Sequence, residues 1–255
     1  EHVRPDLVWA PNVPEDHRYR RDPTAVRCYY AMAANLDDNL GRLLGFLDSS
    51  GLSRDTIVVF TSDHGDMLGS HGRENKMVPY REAVNIPCII RWPGHIPAGR
   101  RVDVLQTPMD HLPTLCALAG LAPPKGCDGL DLSGVLLGTK RIERDAVLMM
   151  NYVSHWDYFD SGTLWPEWRG VRTPRYTYVK WLDDREELYD NREDPYQMKD
   201  LAGLIESRPL LAKLRGELAR LLAEAHDDFL PGTAYADWYD AERNLVKTAL
   251  GPVAR

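Results

Sequence analysis

The chain has 255 residues, 44% of them hydrophobic and 27% charged, a balance that supports a buried core and excludes an intrinsically disordered chain. A formal net charge of −7 gives no general attraction to nucleic acid or anionic lipid, though it leaves room for a local basic pocket. No apolar run approaches the ~20 residues that a bilayer span requires.

No signal peptide opens the chain, and Glu1 stands where a translation start has Met. The sequence therefore reads as part of a longer or processed protein, and its location stays open. The four cysteines, Cys28, Cys88, Cys116 and Cys127, form no Cys-x-x-Cys pair, which removes zinc-ribbon and thioredoxin-like readings. Cys88 and Cys116 lie in apolar runs and are expected as small hydrophobes. A single disulfide is left open.

In chain order, residues 1–23 combine Pro5, Pro11, Pro14 and Pro23 with the run His17-Arg18-Tyr19-Arg20-Arg21. Proline blocks regular helix and central strand, so an extended surface segment is predicted, with His17 on the surface. Residues 24–50 carry Tyr29, Met32, Ala33, Leu36, Leu40, Leu43, Leu44 and Leu47 at three- and four-residue steps, which predicts a helix stopped by Gly51. Residues 56–62 gather β-branched and aromatic side chains and predict a buried, parallel strand. Residues 87–92 predict a second buried strand. Helix, strand, loop and strand together predict an α/β layered domain.

Residues 107–120 predict a helix with Pro108 in its first turn and Gly120 at its end, followed by a loop with brief order over 126–138. Beyond about residue 143 the style changes. Strands are predicted over 146–152, 168–173 and 176–182, with Thr173-Pro174-Arg175 as the turn between the last two. Residues 207–226, carrying Leu210, Leu211, Leu214, Leu218, Leu221 and Leu222, predict a long amphipathic helix that packs within its own subdomain. The expected organisation is an α/β part over 1–142 and a smaller α+β part with an antiparallel sheet over 143–255.

The stretch that carries chemistry is Thr61-Ser62-Asp63-His64-Gly65-Asp66, directly after the first strand. Open α/β sheets bind ligands at the carboxyl ends of their strands. A carboxylate and an imidazole there, followed by a glycine that lets the backbone turn, are plausible ligands for a divalent cation. The other reading is a turn with a capping Asp. Asp66 is expected to be structural and His71 to be a hydrogen-bonded loop residue. Lys76, twelve residues after His64, can balance an anionic group and stabilise a leaving oxygen.

Three blocks then carry a resemblance: YYAMAANLDDNLGRLL at 29–44, TIVVFTSDHGDMLGSHG at 56–72 and NKMVPYREAVNIPCIIRWPG at 75–94. Their order and spacing resemble the sulfatase family of the alkaline-phosphatase-like superfamily. TPMDHLPTLCALAG, GLDLSGVLLG, RGVRTPRYTYVKW and ELYDNREDPYQMKDLA extend the likeness to about 24–225. The resemblance implies that Asp63 and His64 bind the active-site cation, Ca²⁺ by sulfatase habit. It also implies that Lys76 contacts the sulfate and the leaving oxygen, and that a formylglycine nucleophile attacks sulfur.

The departures are equally specific. No Cys-x-Pro-x-Arg or Ser-x-Pro-x-Arg segment is present, so there is no nucleophile. The family's paired metal-binding aspartates are missing too, since Asp37-Asp38 falls in a different family block. The chain is thus expected to be the carboxyl-terminal half of a sulfatase, inactive and unstable without the amino-terminal half as partner, with an unpaired sheet edge and exposed apolar surface.

Phosphonate monoester and phosphodiester hydrolases, often Mn²⁺ enzymes, resemble the same blocks, and a binding-only relative is a third reading. The ligand class is a sulfate-ester small molecule or glycan, or a phosphonate or phosphodiester. The aromatic stretch 152–168 either packs a seam between the subdomains or lines a substrate pocket, with His155 and Trp156 as the pocket-wall candidates.

Overall fold

The structure, a computed structural model, describes residues 7–152, 155–156, 164–232, 240, 246–248 and 251–252. The chain forms two compact units, Glu1–Lys76 with Tyr80–Val147 and Met77–Pro79 with Leu148–Arg255.

The first unit opens with a one-turn helix α1 (Arg18–Arg21) and the 26-residue helix α2 (Thr24–Ser49). The Asp22 carboxylate accepts the Thr24 N–H at 3.1 Å, satisfying one of the amides that a helix start leaves unpaired. Gly51, at φ +75°, closes the other end. Strand β1 (Val58–Thr61), helix α3 (Arg81–Val84) and strand β2 (Cys88–Arg91) follow. A 3-10 turn, Pro108–Asp110, then runs into α4 (His111–Leu118), and the short α5 (Ser133–Leu136) comes after it.

The fully buried Asp110 ties this last part together. Its carboxylate accepts from the Thr107 and Leu130 backbone N–H groups at 2.7 and 2.8 Å and from Arg144 at 2.6 Å.

Four sequence expectations need correction here. First, β1 is not a parallel strand. It pairs antiparallel with β2, Val58 opposite Arg91 and Thr61 opposite Cys88. The chain between them is wound on itself, Met67 N–H to Asn75 O and Gly69 N–H to Arg73 O, both at 2.8 Å. It therefore leaves and re-enters at the same end of β1 and must run back. Second, neither strand is deeply buried: Ile89 is 61% exposed. Cys88 is exposed as well, and all four cysteines are free.

Third, residues 7–23 are not simply an extended surface segment, because Asn12 and Val13 are buried and α1 interrupts it. Fourth, His17 is not on the surface; its side chain is 9% exposed.

The apolar stripe of α2 is largely open, with Tyr29, Met32, Leu36, Leu43 and Phe46 exposed and only Val26 and Leu47 buried. A groove of ≈ 1290 Å³ beside β2 is lined by residues 88–104, Gln106, Leu132 and the α5 residues Val135 and Leu136.

The second unit is built on a four-stranded sheet in the order β3 (Val147–Asn151), β6 (Trp168–Arg172), β7 (Tyr176–Trp181), β8 (Glu186–Asp190). Two short strands, β4 (His155–Trp156) and β5 (Leu164–Trp165), pair with each other between β3 and β6 in the chain. β6, β7 and β8 run antiparallel. Thr173 makes the β6–β7 turn: its N–H donates to Tyr176 O at 2.9 Å and its hydroxyl accepts the Tyr176 N–H at 2.8 Å.

Trp168, Val171, Tyr178, Val179, Trp181 and Leu188 form the core. Helix α6 (Arg208–Glu224) packs on β6 and buries Leu211, Leu214 and Leu218. Two further short strands, β9 (Lys247–Thr248) and β10 (Gly251–Pro252), pair near the chain end. Strand β8 is not among the sequence-predicted elements, because its acidic residues interrupt the apolar pattern. Each acid is paired in the fold. Glu187 accepts from Trp181 Nε1 at 2.9 Å and from the Tyr189 hydroxyl at 3.1 Å. Glu186 pairs with Arg215 and Asp190 with Arg175.

Candidate functional site

The site starts where β1 ends. Ser62, Asp63 and His64 leave the strand, and the Ser62 hydroxyl donates to the His64 carbonyl at 2.8 Å. Gly65 then turns the chain onto α3, its N–H donating to Ala83 O at 2.8 Å. A Cβ at Gly65 would lie 1.9 Å from the Glu82 carbonyl oxygen. That close approach, not an unusual φ, makes glycine necessary at this position.

The donor pair has a defined geometry. His64 Nδ1 lies 2.8 Å from the Gly65 carbonyl oxygen. A carbonyl can only accept, so Nδ1 carries a hydrogen. Nε2 lies 3.3 Å from Asp63 Oδ2. With Nδ1 committed, the contact is an ion pair when Nε2 carries a proton, and in the neutral ring the Nε2 lone pair faces the carboxylate oxygen, an arrangement that suits a shared cation. A backbone carbonyl on the far nitrogen is also how metal-binding histidines are commonly oriented. The Asp63 side chain is 82% exposed and that of His64 38%, so both are open to a ligand from outside.

Desolvation pushes the Asp63 carboxyl up. The His64 ring, the backbone N–H groups of Asp63 and His64 and the Ser62 hydroxyl outweigh it and hold the group below the ordinary carboxylate range. An anionic oxygen beside an imidazole suits a divalent cation. Among the described residues no group of three or more His, Cys, Asp and Glu converges on one point. The pair thus fits part of a coordination sphere.

Lys76 lies at the far end of the same loop and is exposed. Asp66 connects the two ends electrostatically. Burial raises its carboxyl above the ordinary range and Glu74 adds to this, while the Leu68 N–H, His64 and Lys76 act in the opposite direction. Asp66 Oδ1 also accepts the Leu68 N–H at 2.9 Å, which is a structural role. His71 holds a left-handed φ of 56°, donates its N–H to Asn12 O at 2.7 Å and stacks on Tyr80 with ring centres 4.0 Å apart.

Asp63, His64 and Lys76 therefore share one loop of the first unit. His155 and Trp156 lie on β4 in the second unit; their side chains lie outside the described residues.

Four polar residues around this loop were not singled out by sequence. Arg18 donates through Nε and Nη2 to both oxygens of Glu74, and Asn12 donates to Glu82 at 2.8 Å. Arg18 and Glu74 are 56 residues apart, and no local pattern links them.

The first unit thus carries an acid–imidazole pair at a strand's carboxyl end and a lysine on the same loop. Comparison with known proteins supplies the class. The sulfatase family profile matches residues 5–121, and the profile of the carboxyl-terminal region of N-sulphoglucosamine sulphohydrolase matches residues 69–224. The chain belongs to the sulfatase family.

It is 34% identical to an ulvan-active sulfatase of Formosa agariphila over 92% of this chain and 45% of that protein. A solved structure in complex with its substrate D-glucosamine-2-N,6-O-disulfate matches with a TM-score of 0.72 and 30% identity, over 81% of this chain and 42% of the other. Phosphonate monoester hydrolase of Agrobacterium radiobacter matches with a TM-score of 0.68 and 28% identity, over 90% and 45%. The chain spans less than half the length of the curated relatives it matches.

Proposed function

We propose that this chain is the cation-binding part of a sulfuric ester hydrolase that acts on a sulfated glycan. The observation that carries the reading is the facing pair at the end of β1, His64 Nε2 and Asp63 Oδ2 at 3.3 Å, with Nδ1 already committed to Gly65 O. Asp63 and His64 would hold the divalent cation, Ca²⁺ in this reading. When bound, it supplies charge that polarises the ester's sulfuryl oxygens. The Asp63 carboxylate, anionic and exposed, contributes the negative donor. His64 contributes a neutral lone pair whose direction Gly65 fixes. Lys76 holds its ammonium at the same loop, where it offsets negative charge on the sulfate and on the departing oxygen.

The nucleophile, a formylglycine in this reading, comes from an upstream half of the protein, and the 255-residue chain alone does not turn over substrate. Two donors leave most of the cation's coordination to water, which makes binding weak. Family membership and the sulfated-sugar complex of a structural relative support the sulfate ester and the glycan.

A second reading, a phosphonate monoester or phosphodiester hydrolase with Mn²⁺, is favoured by one observation, the likeness to the Agrobacterium radiobacter enzyme over 90% of this chain.

The test is a parallel assay of the full-length protein on 4-nitrophenyl sulfate and 4-nitrophenyl phenylphosphonate, with a tryptic search for a formylglycine-bearing peptide. Faster sulfate hydrolysis with a formylglycine peptide is the expected result. Faster phosphonate hydrolysis by a protein without formylglycine overturns it in favour of the second reading. Chelation, or Asp63→Ala or His64→Ala, is expected to lower the rate at least about 100-fold, in line with the usual cost of removing transition-state charge stabilisation. A rate unchanged by both substitutions would remove the two residues from the site.

A further inference from the structure

We infer that Arg18, with Glu74 and His17, forms a clamp that positions Lys76, so that Arg18 is a positioning residue for the charge-stabilising lysine. The inference rests on the role given to Lys76 above.

Glu74 stands two residues before Lys76, and its side chain is 8% exposed. A carboxylate this buried costs several kcal/mol unless it is paired. Arg18 meets it with a two-pronged contact, Nε to Oε1 and Nη2 to Oε2, the arrangement that fixes both distance and orientation. His17 closes the third side. Its Nδ1 accepts the Tyr19 N–H at 3.2 Å, so in the neutral ring the hydrogen sits on Nε2, which faces Glu74 Oε1 at 4.0 Å.

The same imidazole packs on Gly69, where a Cβ would lie 3.0 Å from Nδ1. Gly69 has φ +94° and its N–H is bonded to Arg73 O at 2.8 Å. One short segment, His17 and Arg18 at the start of α1, thus touches the lysine loop at both Gly69 and Glu74. Loop and segment are also joined by His71 N–H to Asn12 O at 2.7 Å.

The loop needs such an external hold. Leu68, His71 and Asn75 all have left-handed φ, between 46° and 64°. The conformation is costly for Leu68 and His71, less so for Asn75, and persists where surrounding contacts impose it. Lys76 itself is exposed and would otherwise follow every motion of that loop. Small displacements of a charge-stabilising group cost rate steeply, so the clamp converts a surface lysine into a placed one.

The test is a double-mutant cycle in the full-length enzyme, on whichever of the two 4-nitrophenyl esters it hydrolyses. Arg18→Ala is expected to lower kcat about 10- to 100-fold with little change in KM, and Arg18→Lys to restore part of the loss. Glu74→Gln, which keeps the side-chain volume, is expected to behave like Arg18→Ala and replaces it if that variant unfolds. In a Lys76→Ala background, Arg18→Ala should change kcat less than about twofold, because the group it positions is gone.

Equal losses in both backgrounds, or a wild-type kcat for Arg18→Ala beside a slow Lys76→Ala, overturn the clamp alone. A wild-type kcat for Lys76→Ala overturns the role of Lys76 and the clamp's purpose with it. Hydrogen exchange reads the clamp without turnover. The Met67 and Gly69 amides should lose protection in Arg18→Ala, and unchanged protection overturns the inference whatever the substrate.

Discussion

Gly65 is the residue on which the donor pair turns. Its N–H is tied to Ala83 O, its carbonyl fixes the His64 ring, and its missing Cβ leaves room for the Glu82 carbonyl. Backbone on one side and backbone on the other leave nothing flexible to yield. Gly65→Ala is therefore expected to destabilise by about 3 kcal/mol, the upper part of the range for overpacking. In a cooperative unit of about this chain's size that corresponds to a melting temperature lower by roughly 6–12 °C, and in a longer cooperative unit to roughly half that. Thermal melts of the full-length variant check this, and a shift under about 2 °C would show that α3 can move away. The same substitution displaces the carbonyl that fixes His64, so, if the proposed cation site holds, affinity for a divalent cation should fall even below the melting transition.

At the scale of elements, β8 pairs with β7 along its length, and its acidic side chains are held by partners from other elements. Glu186 is held below its ordinary value of 4.5 chiefly by Arg215, against desolvation, with Tyr178 and Lys180 also contributing. Asp190 is held below 3.8 chiefly by Arg175, against desolvation, with backbone N–H groups of 192 and 193 assisting. A carboxyl depressed in the folded state stabilises the fold above its unfolded pKa. It loses that contribution as pH falls through the folded pKa. The acid limb of the stability curve should therefore drop from about pH 4.5 downward.

Glu187 works the other way. Burial raises its carboxyl, against hydrogen bonds from Tyr189 and Trp181, so its ionisation weighs on the fold as pH rises above 4.5. Denaturant titrations at pH 3, 4, 5 and 7 are the measurement. Arg215→Ala should flatten the acid limb, and a limb of undiminished slope would deny Glu186 this role.

The other pairing in this unit is buried. Arg169 is fully enclosed, bonds Asp227 and the Asn151 carbonyl, and has its guanidinium 4.1 Å from the ring centre of Tyr152. Asp227→Ala strands a buried cation and is expected to cost about 3–5 kcal/mol. The midpoint of a urea melt checks it.

At the scale of the molecule, α2 exposes Tyr29, Met32, Leu36, Leu43 and Phe46, and β2 exposes Ile89. A cluster of large apolar side chains on one helix is more than the scattered exposure normal for a soluble surface. The strands β1 and β2 pair only with each other among the described residues, which leaves an edge of each open. The 255-residue chain by itself is therefore expected to bind a hydrophobic dye, to self-associate and to hydrolyse neither ester. A monomeric preparation with a single cooperative melt and no dye binding would show instead that this surface is tolerated in water.

The element map was legible wherever periodicity is local. The 24–50 helix, the strands near 58, 88, 147, 168 and 176 and the helix near 208 stand within a few residues of their predicted places. Gly51 and Gly120 sit at positive φ at the helix ends, as their positions in the sequence suggested. Strand β8 was hidden because Glu186, Glu187 and Asp190 depend on Arg215, Trp181 and Arg175, partners that local pattern does not reveal.

The direction of β1 was misread for a related reason. Apolar side chains report that a strand has neighbours but not which way they run, and here the folded-back loop at 66–76 decided it. Asp63, His64 and Lys76 were candidates from the sequence, and they stand on one loop because adjacent residues and one short segment need no fold to share it. The sequence did not locate Arg18 and His17 against Glu74. A charged run in a proline-rich segment reads as solvated, and only tertiary contact across 56 residues turns it into a clamp. Chain order by itself thus determined the class and most of the elements, and it set Asp63 beside His64, because these depend on neighbours in sequence. Strand direction, burial and the hold on Lys76 depend on neighbours in space, and those the tertiary structure alone decided.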